Sequence, residues 1–289
     1  MDAFVQYTVQ GLAAGGFYAL AALGLAVIFG ALNVVNFAHG AFYMLGAVVT
    51  AVLLDVAGIS FWWSLLIVPI VLFAFGVLVE RLLVQWLLGL DNLYTFLLTF
   101  GISLVLVDIV KLRYGVSGLP YEQPAGLGGL LHLGAIQLPI YQVFVFVFSV
   151  TVCAGVWLLL AKTRVGMIVR AATEEPDRAR ALGINVSRWV TPVFGFGVAI
   201  ASLAGVLAAP FRAITATMGS NFIIILFAIV VIGGLGSILG AVVAGFLVGL
   251  VEAYGQGYAS TFSQILIFIL MAVVILVRPA GLFGRRESV

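Results

Sequence analysis

Long apolar runs separated by short polar or glycine-rich breaks make up most of the chain, and the runs approach or reach the length of membrane-crossing helices. A helix needs roughly 20 mainly apolar residues to cross a bilayer. Runs of this kind lie at residues 9–30, 65–79, 94–109, 140–161, 190–209 and 262–277, with another that closes near Asp55. The pattern predicts an all-α polytopic membrane protein with about seven full transmembrane helices. Phe222 to Tyr254 is a further apolar stretch, too long for one crossing and marginal for two, and Gly233, Gly234, Gly236 and Ser237 interrupt it. It predicts a broken, re-entrant helical hairpin near 222–254. Residues 1–289 read as a single transmembrane domain.

Composition agrees with the pattern. The chain is 64% hydrophobic and 8% charged, with a mean hydropathy of +1.28, against about 25% charged residues in soluble domains. A net charge of +2 makes no case for nucleic acid. The single cysteine, Cys153, sits in an apolar run, excludes an intramolecular disulfide and reads as a small packing residue. The first residues carry no basic region, and the run after them exceeds the roughly 7–15 residues of a signal-peptide core, so a retained first helix is expected. Gly11 and Gly15 give that helix a small-residue packing face.

Polar residues then mark candidate chemistry. Asn33, Asn36 and His39 recur every third residue between the first two spans, a slanting polar line if the segment is helical. Polar groups at membrane depth face a bundle interior or a water-filled path. They either line the substrate path or satisfy backbone freed at a helix break, and the two roles are compatible. Thr99 and Ser103 are open to two roles as well, contact with substrate or bonding of the preceding turn. Asp108 and Lys111 read as a local ion pair three residues apart. Residues 114–139 are punctuated by glycines and prolines and predict an ordered surface loop, within which His132 has no assigned role.

The longest charged passage runs from 162 to 188. Residues 166–172 can form one short helix, Pro176 begins a second, and Gly183 stands where that one would stop. Glu174, Glu175 and Asp177 lie where a helix start favours negative charge, and Arg178 and Arg180 follow toward its end. The basic residues of 162–188 place this segment in the cytoplasm, and Arg278, Arg285 and Arg286 place the C-terminus there. An even number of crossings must lie between them, so 222–254 enters and leaves on the outer side as a short helix followed by a longer returning one. Counting back puts the 114–139 loop and the N-terminus outside, with Lys111 and Arg113 against the charge rule.

Several of these stretches together resemble the permeases of branched-chain amino acid ABC transporters, the LivH/LivM group, and most nearly its LivH-type subunit. The resemblance rests on Val35 to Gly40 (VNFAHG), Glu80–Arg81–Leu82, the Thr99, Gly101 and Ser103 pattern, Thr163, Arg164, Gly166, Arg170, Ala171, Pro176, Ala179, Gly183 and Ile184, the Gly-Gly-x-Gly-Ser turn at 233–237, and Arg278 to Gly284. It covers the whole chain in order. Two departures are Glu175, where Asp or Asn is commoner before the proline, and Gln85 to Leu88, where basic residues are usual.

The resemblance implies an importer permease that moves branched-chain or other hydrophobic amino acids across a bacterial inner membrane, with relatives that carry urea, short amides or aromatic acids. It implies no enzymatic activity and no cofactor on this chain, with ATP and Mg bound by two partner ABC ATPase subunits. A second homologous permease, LivM-like, and a periplasmic or lipid-anchored binding protein complete the expected partners. Coupling to the ATPase falls to Gly166, Arg170, Ala171, Glu174, Glu175, Asp177, Arg178 and Gly183. Gly233, Gly234 and Ser237 join Asn33, Asn36, His39, Thr99 and Ser103 as expected substrate-path residues.

Other classes fit less well. The chain has no phosphate-cradling G-x-x-x-x-G-K-[ST], so it cannot hydrolyse ATP by that route. An intramembrane hydrolase needs a nucleophile with a base in reach, and the two histidines lie far apart in the chain. A proton- or sodium-driven carrier would place ionisable pairs near mid-membrane, and none is evident in the sequence.

Overall fold

A computed structural model describes residues 2–32, 35–87, 89–133, 136–174 and 186–284. Its axis is α1 (Asp2–Leu32), which is buried on every side from Ala13 to Ile28. A helix apolar all round belongs inside a bundle. Around it stand α2 (His39–Ala57), α3 (Phe61–Leu82), α4 (Asn92–Tyr114), α5 (Ile140–Lys162) and the short α6 (Arg164–Glu174). The second half holds α7 (Val186–Ala208), α8 (Met218–Gly233), α9 (Ile238–Tyr258) and α10 (Ser263–Val277).

Close backbone approach builds the centre, as expected where apolar side chains gain nothing by leaving lipid and packing must hold the helices together. Gly11 and Gly15 do form a packing face: a Cβ on either would lie 2.8 Å from the Cα of Leu250 or Phe246 on α9. Across α2 and α7, a Cβ on Gly46 would overlap the Ser202 carbonyl, and one on Gly205 would overlap the Tyr43 carbonyl. α7 also meets α1 at Gly24 and Gly197, and α3 at Gly76 and Gly195. This makes α7 the hub, in close glycine-mediated contact with three neighbours.

The bundle has two distinct ends. The Tyr141 hydroxyl donates to the Leu207 carbonyl at 2.6 Å, joining the start of α5 to the finish of α7. Beside them an antiparallel hairpin pairs β1 (Leu130–Leu133) with β2 (Ile136–Pro139), and Leu119 bridges to Ile214. At the opposite end lie α6, the turn between α8 and α9, and the C-terminal residues that pack on that turn.

Eight helices among the described residues are long and apolar enough to cross a membrane. The expected short-then-long hairpin is present as α8 and α9, and its returning limb is itself of crossing length. The 114–139 stretch is less irregular than its glycines suggest. α4 runs on to Tyr114, and strands of four residues are too short to show a period in sequence. The Asp108–Lys111 pair forms at 3.3 Å on the exposed face of α4.

Candidate functional site

The polar stretch before α2 is a break, not a helical face. Asn36 lies ahead of the helix and His39 is its first residue. The Asn36 side-chain oxygen accepts from the Ala38 N–H at 3.0 Å, and the His39 N–H donates to the Asn36 carbonyl at 3.2 Å. This is an Asx turn, which Asn forms because its carbonyl mimics the backbone. The Phe37 N–H, freed by the break, donates to Thr99 Oγ1 on α4 at 3.2 Å, and that hydroxyl donates to the Phe96 carbonyl. Phe37 packs edge-on to Phe96, with ring centroids 4.5 Å apart, and against Phe227 at 4.7 Å.

His39 is fully buried, and its Nε2 lies 2.9 Å from the Ala21 carbonyl of α1. A carbonyl only accepts, so Nε2 carries the proton there and Nδ1 is the free ring nitrogen. Nδ1 of His39 and Nδ2 of Asn36 have no hydrogen-bond partner among the described residues. Ser103 stands one turn along α4 from Thr99, half-buried. Asn33 lies outside the described residues.

A second polar site was not foreseen. Arg212, which follows the end of α7, donates to the Tyr18 hydroxyl of α1 at 3.0 Å and pairs with Glu252 of α9 at 3.3 Å. Tyr18 in turn donates to the other Glu252 oxygen at 2.6 Å, and Gln256 donates to the first at 3.2 Å. The guanidinium sits over the rings of Phe17 and Tyr18, 5.1 and 5.5 Å from their centroids. Burial by itself would lower the Arg212 pKa, and the facing Tyr18, Tyr43 and Glu252 outweigh it, so the pKa is raised and the group stays charged.

Arg212 also lines a cleft of about 440 Å³ at the hairpin end, between Ser117–Tyr121 and Ala209–Ile214. Burial pushes the Tyr121 hydroxyl above its ordinary pKa, so it remains a proton donor. From Tyr18 the aromatic packing leads inward: Phe222 stacks on Tyr18 at 5.4 Å and on Tyr43 at 3.9 Å. The Tyr43 hydroxyl is buried without a partner among the described residues.

The apolar run read at 190–209 stops short of Arg212, and the stretch read at 222–254 takes in Glu252 without remark. The available signal was Glu252 itself, since an ionisable residue in an apolar helix marks function by default. The run read at 65–79 likewise stops short of Glu80. α3 continues to Leu82, and Glu80 is buried against α7, where Thr191 donates to it at 2.7 Å.

The Gly233–Ser237 turn is knit to the C-terminal segment. Leu282 N–H donates to the Ile232 carbonyl and Phe283 N–H to that of Gly233, at 2.8 and 3.0 Å. Gly234 has φ +99°, a left-handed conformation suited to glycine, and a Cβ there would lie 2.5 Å from Gly284 N. Ser237 caps α9 by accepting from the Gly240 N–H at 3.1 Å. The turn is therefore assembled apart from the Asn36–His39 break, with Phe29 of α1 beside Gly236.

Of the charged passage, α6 is described and carries Gly166, Arg170, Ala171 and Glu174. Gly166 makes the reversal from α5: a Cβ there would overlap the Leu160 backbone, and its N–H donates to Thr163 Oγ1 at 3.2 Å. Glu175, Asp177, Arg178 and Gly183, with the second short helix expected there, lie outside the described residues. Among the described residues, no three His, Cys, Asp or Glu side chains gather as a metal site.

Comparison with known proteins supplies the remaining finding. The family described as branched-chain amino acid transport system / permease component matches residues 7–275. The high-affinity branched-chain amino acid transport system permease protein BraD of Pseudomonas aeruginosa is 31% identical over 98% of this chain and 97% of its own length. The permease protein LivH of the corresponding Escherichia coli K12 system is 29% identical over 98% of this chain and 96% of its own. LivM of Salmonella typhimurium is 25% identical over 92% of this chain and 67% of its own. No solved structure matches the chain.

Proposed function

The chain belongs to the family of branched-chain amino acid transport permeases, and we propose that it is the membrane subunit of an ATP-driven importer for branched-chain or other hydrophobic amino acids. The observation that carries this is the family match over residues 7–275 on a bundle with eight helices of crossing length. Its partners are a second, LivM-like permease, two ABC ATPase subunits that bind ATP and Mg, and a binding protein that delivers substrate. The membrane is the bacterial inner membrane. Arg81, Lys162, Arg164, Arg188 and Arg278 at the α6 end, against Lys111, Arg113 and Arg212 at the hairpin end, support a cytoplasmic α6 and C-terminus with the N-terminus outside.

In this orientation the hairpin end receives the binding protein and the 162–188 segment docks on the ATPase. Gly166 allows α6 to fold tightly onto α5, so a push on Arg170, Ala171, Glu174, Glu175, Asp177, Arg178 or Gly183 is delivered to α5 and to the hub helix α7. The substrate path passes the unwound break at Asn36 and His39, with Thr99 and Ser103 on the helix beside it, and Asn33, outside the described residues, is assigned to the same path. Gly233, Gly234 and Ser237 close it toward the cytoplasm.

Copurification of the tagged chain from its own membranes tests the reading. Recovery of a Walker-containing ATPase and a second permease is expected, and scrambling residues 174–183 should release the ATPase without loss of membrane insertion. Glu175→Arg and Gly183→Trp should each abolish ATP-driven uptake. A chain recovered alone that moves solute into vesicles without ATP would overturn the importer assignment.

A further inference from the structure

We infer that Arg212, Glu252 and Tyr18 form a receiving site for the zwitterionic head of an amino acid, entered from the cleft at the hairpin end. This rests on the amino-acid transport reading above and names where the substrate is first held.

The argument begins with charge. Arg212 and Glu252 lie at 3.3 Å from one another, with the Glu252 side chain 9% exposed and that of Arg212 34% exposed. Separating such a pair leaves two poorly hydrated charges, which is costly. A zwitterion removes that cost, because its carboxylate can take the place of Glu252 on Arg212 while its ammonium takes the place of Arg212 on Glu252. One ion pair is exchanged for two, with no net charge added to the site. A simple carboxylate would leave Glu252 unpaired, and a simple amine would leave Arg212 unpaired. The pair therefore selects for both charges on one small molecule.

Geometry supports the same occupant. Arg212 is the charged residue lining the cleft, whose volume of about 440 Å³ falls in the range of roughly 300–1,000 Å³ typical of small-ligand pockets. Leu119, Pro120, Phe211 and Ile214 supply apolar walls for a branched side chain. Phe17 and Tyr18 hold the guanidinium plane in place. Behind the pair, the Tyr18–Phe222–Tyr43 stack ends at the unpartnered, buried Tyr43 hydroxyl. That hydroxyl offers the head group its next hydrogen bond on the way in.

The test uses the transporter with its partner permease and ATPase subunits, in nanodiscs without the binding protein for ligand binding and in vesicles with the binding protein for uptake. Ligand-detected saturation-transfer NMR compares leucine with 4-methylpentanoate, which lacks the ammonium, and 3-methylbutylamine, which lacks the carboxylate. Glu252→Gln removes the charge and retains one oxygen, which can accept from both Tyr18 and Arg212, while an NH2 group replaces the oxygen that accepts from Gln256. It should weaken leucine binding at least about tenfold while tightening that of 4-methylpentanoate, which no longer strands a buried carboxylate. Tyr43→Phe keeps the ring stack and should slow leucine uptake about threefold, with thermal stability unchanged. Leucine bound equally by wild type and Glu252→Gln, while ATP-driven leucine uptake persists in both, would overturn this site and leave the transport reading intact. A wild-type transporter that imports some other solute and no amino acid would overturn both.

Discussion

The break at Asn36–His39 and the cluster at Arg212–Glu252 place polar groups in the same apolar bundle, yet they are satisfied in opposite ways. The first is neutral, nearly contiguous in sequence and bonded mainly to backbone, and it leaves Asn36 Nδ2 and His39 Nδ1 unpartnered among the described residues. The second is charged, gathered from residues 18, 212 and 252, and both Glu252 oxygens accept hydrogen bonds. A neutral group left open in a protein interior costs about 1–3 kcal/mol, whereas an unpaired buried ion costs more. The neutral site can therefore stand partly empty in the absence of substrate. The charged one must close on itself and open only by exchange.

The strongest way to break this contrast is to remove the frame that both sites share. α2 carries His39 at its start and Tyr43 one turn on, and it lies against α7 through Gly46. Gly46→Val would force the helices apart and should cost about 3 kcal/mol, seen as loss of the folded fraction in detergent thermal unfolding. A smaller effect should sharpen the contrast. Glu252→Ala strands Arg212 and should cost about 2–3 kcal/mol, moderated because 34% of the Arg212 side chain stays accessible. Glu252→Gln should cost clearly less in the same assay, because its remaining oxygen still accepts from Tyr18 and Arg212. The smallest belongs to the neutral site: Thr99→Val leaves the Phe37 N–H without its acceptor and should cost about 1 kcal/mol. Equal losses for Glu252→Ala and Thr99→Val would show that charge is not what separates the two sites.

Legibility in the sequence follows the same division. VNFAHG could be read as a polar break because its residues are neighbours, and of the two arrangements left open for Asn36 and His39 the structure has the break, an Asx turn followed by a helix start. The glycine turn at 233–237 was legible as an interruption of α8 and α9, but its union with residues 280–284 was not, since it joins segments distant in the chain. The short helix at 166–172 was legible, but the tight reversal that Gly166 allows against Leu160 was not. The Arg212–Glu252–Tyr18 cluster escaped because no local pattern links positions 194 and 234 residues apart.

The sequence alone determined how many apolar segments the chain has, where they break, which passage is charged, and which family it resembles. Those properties follow from local composition, because a bilayer selects for length and apolarity one segment at a time. Only the tertiary structure decided which apolar helices form the interior. The span Ala3–Gly30, of hydropathy 2.1, has 89% of its most apolar window buried, while Ser260–Val277, of hydropathy 2.5, has 17%. Lipid and protein interior are equally apolar solvents, so hydropathy cannot tell them apart. Glycine-to-backbone contacts across α1, α7 and α9 make that choice, and in making it they bring one arginine, one glutamate and one tyrosine together.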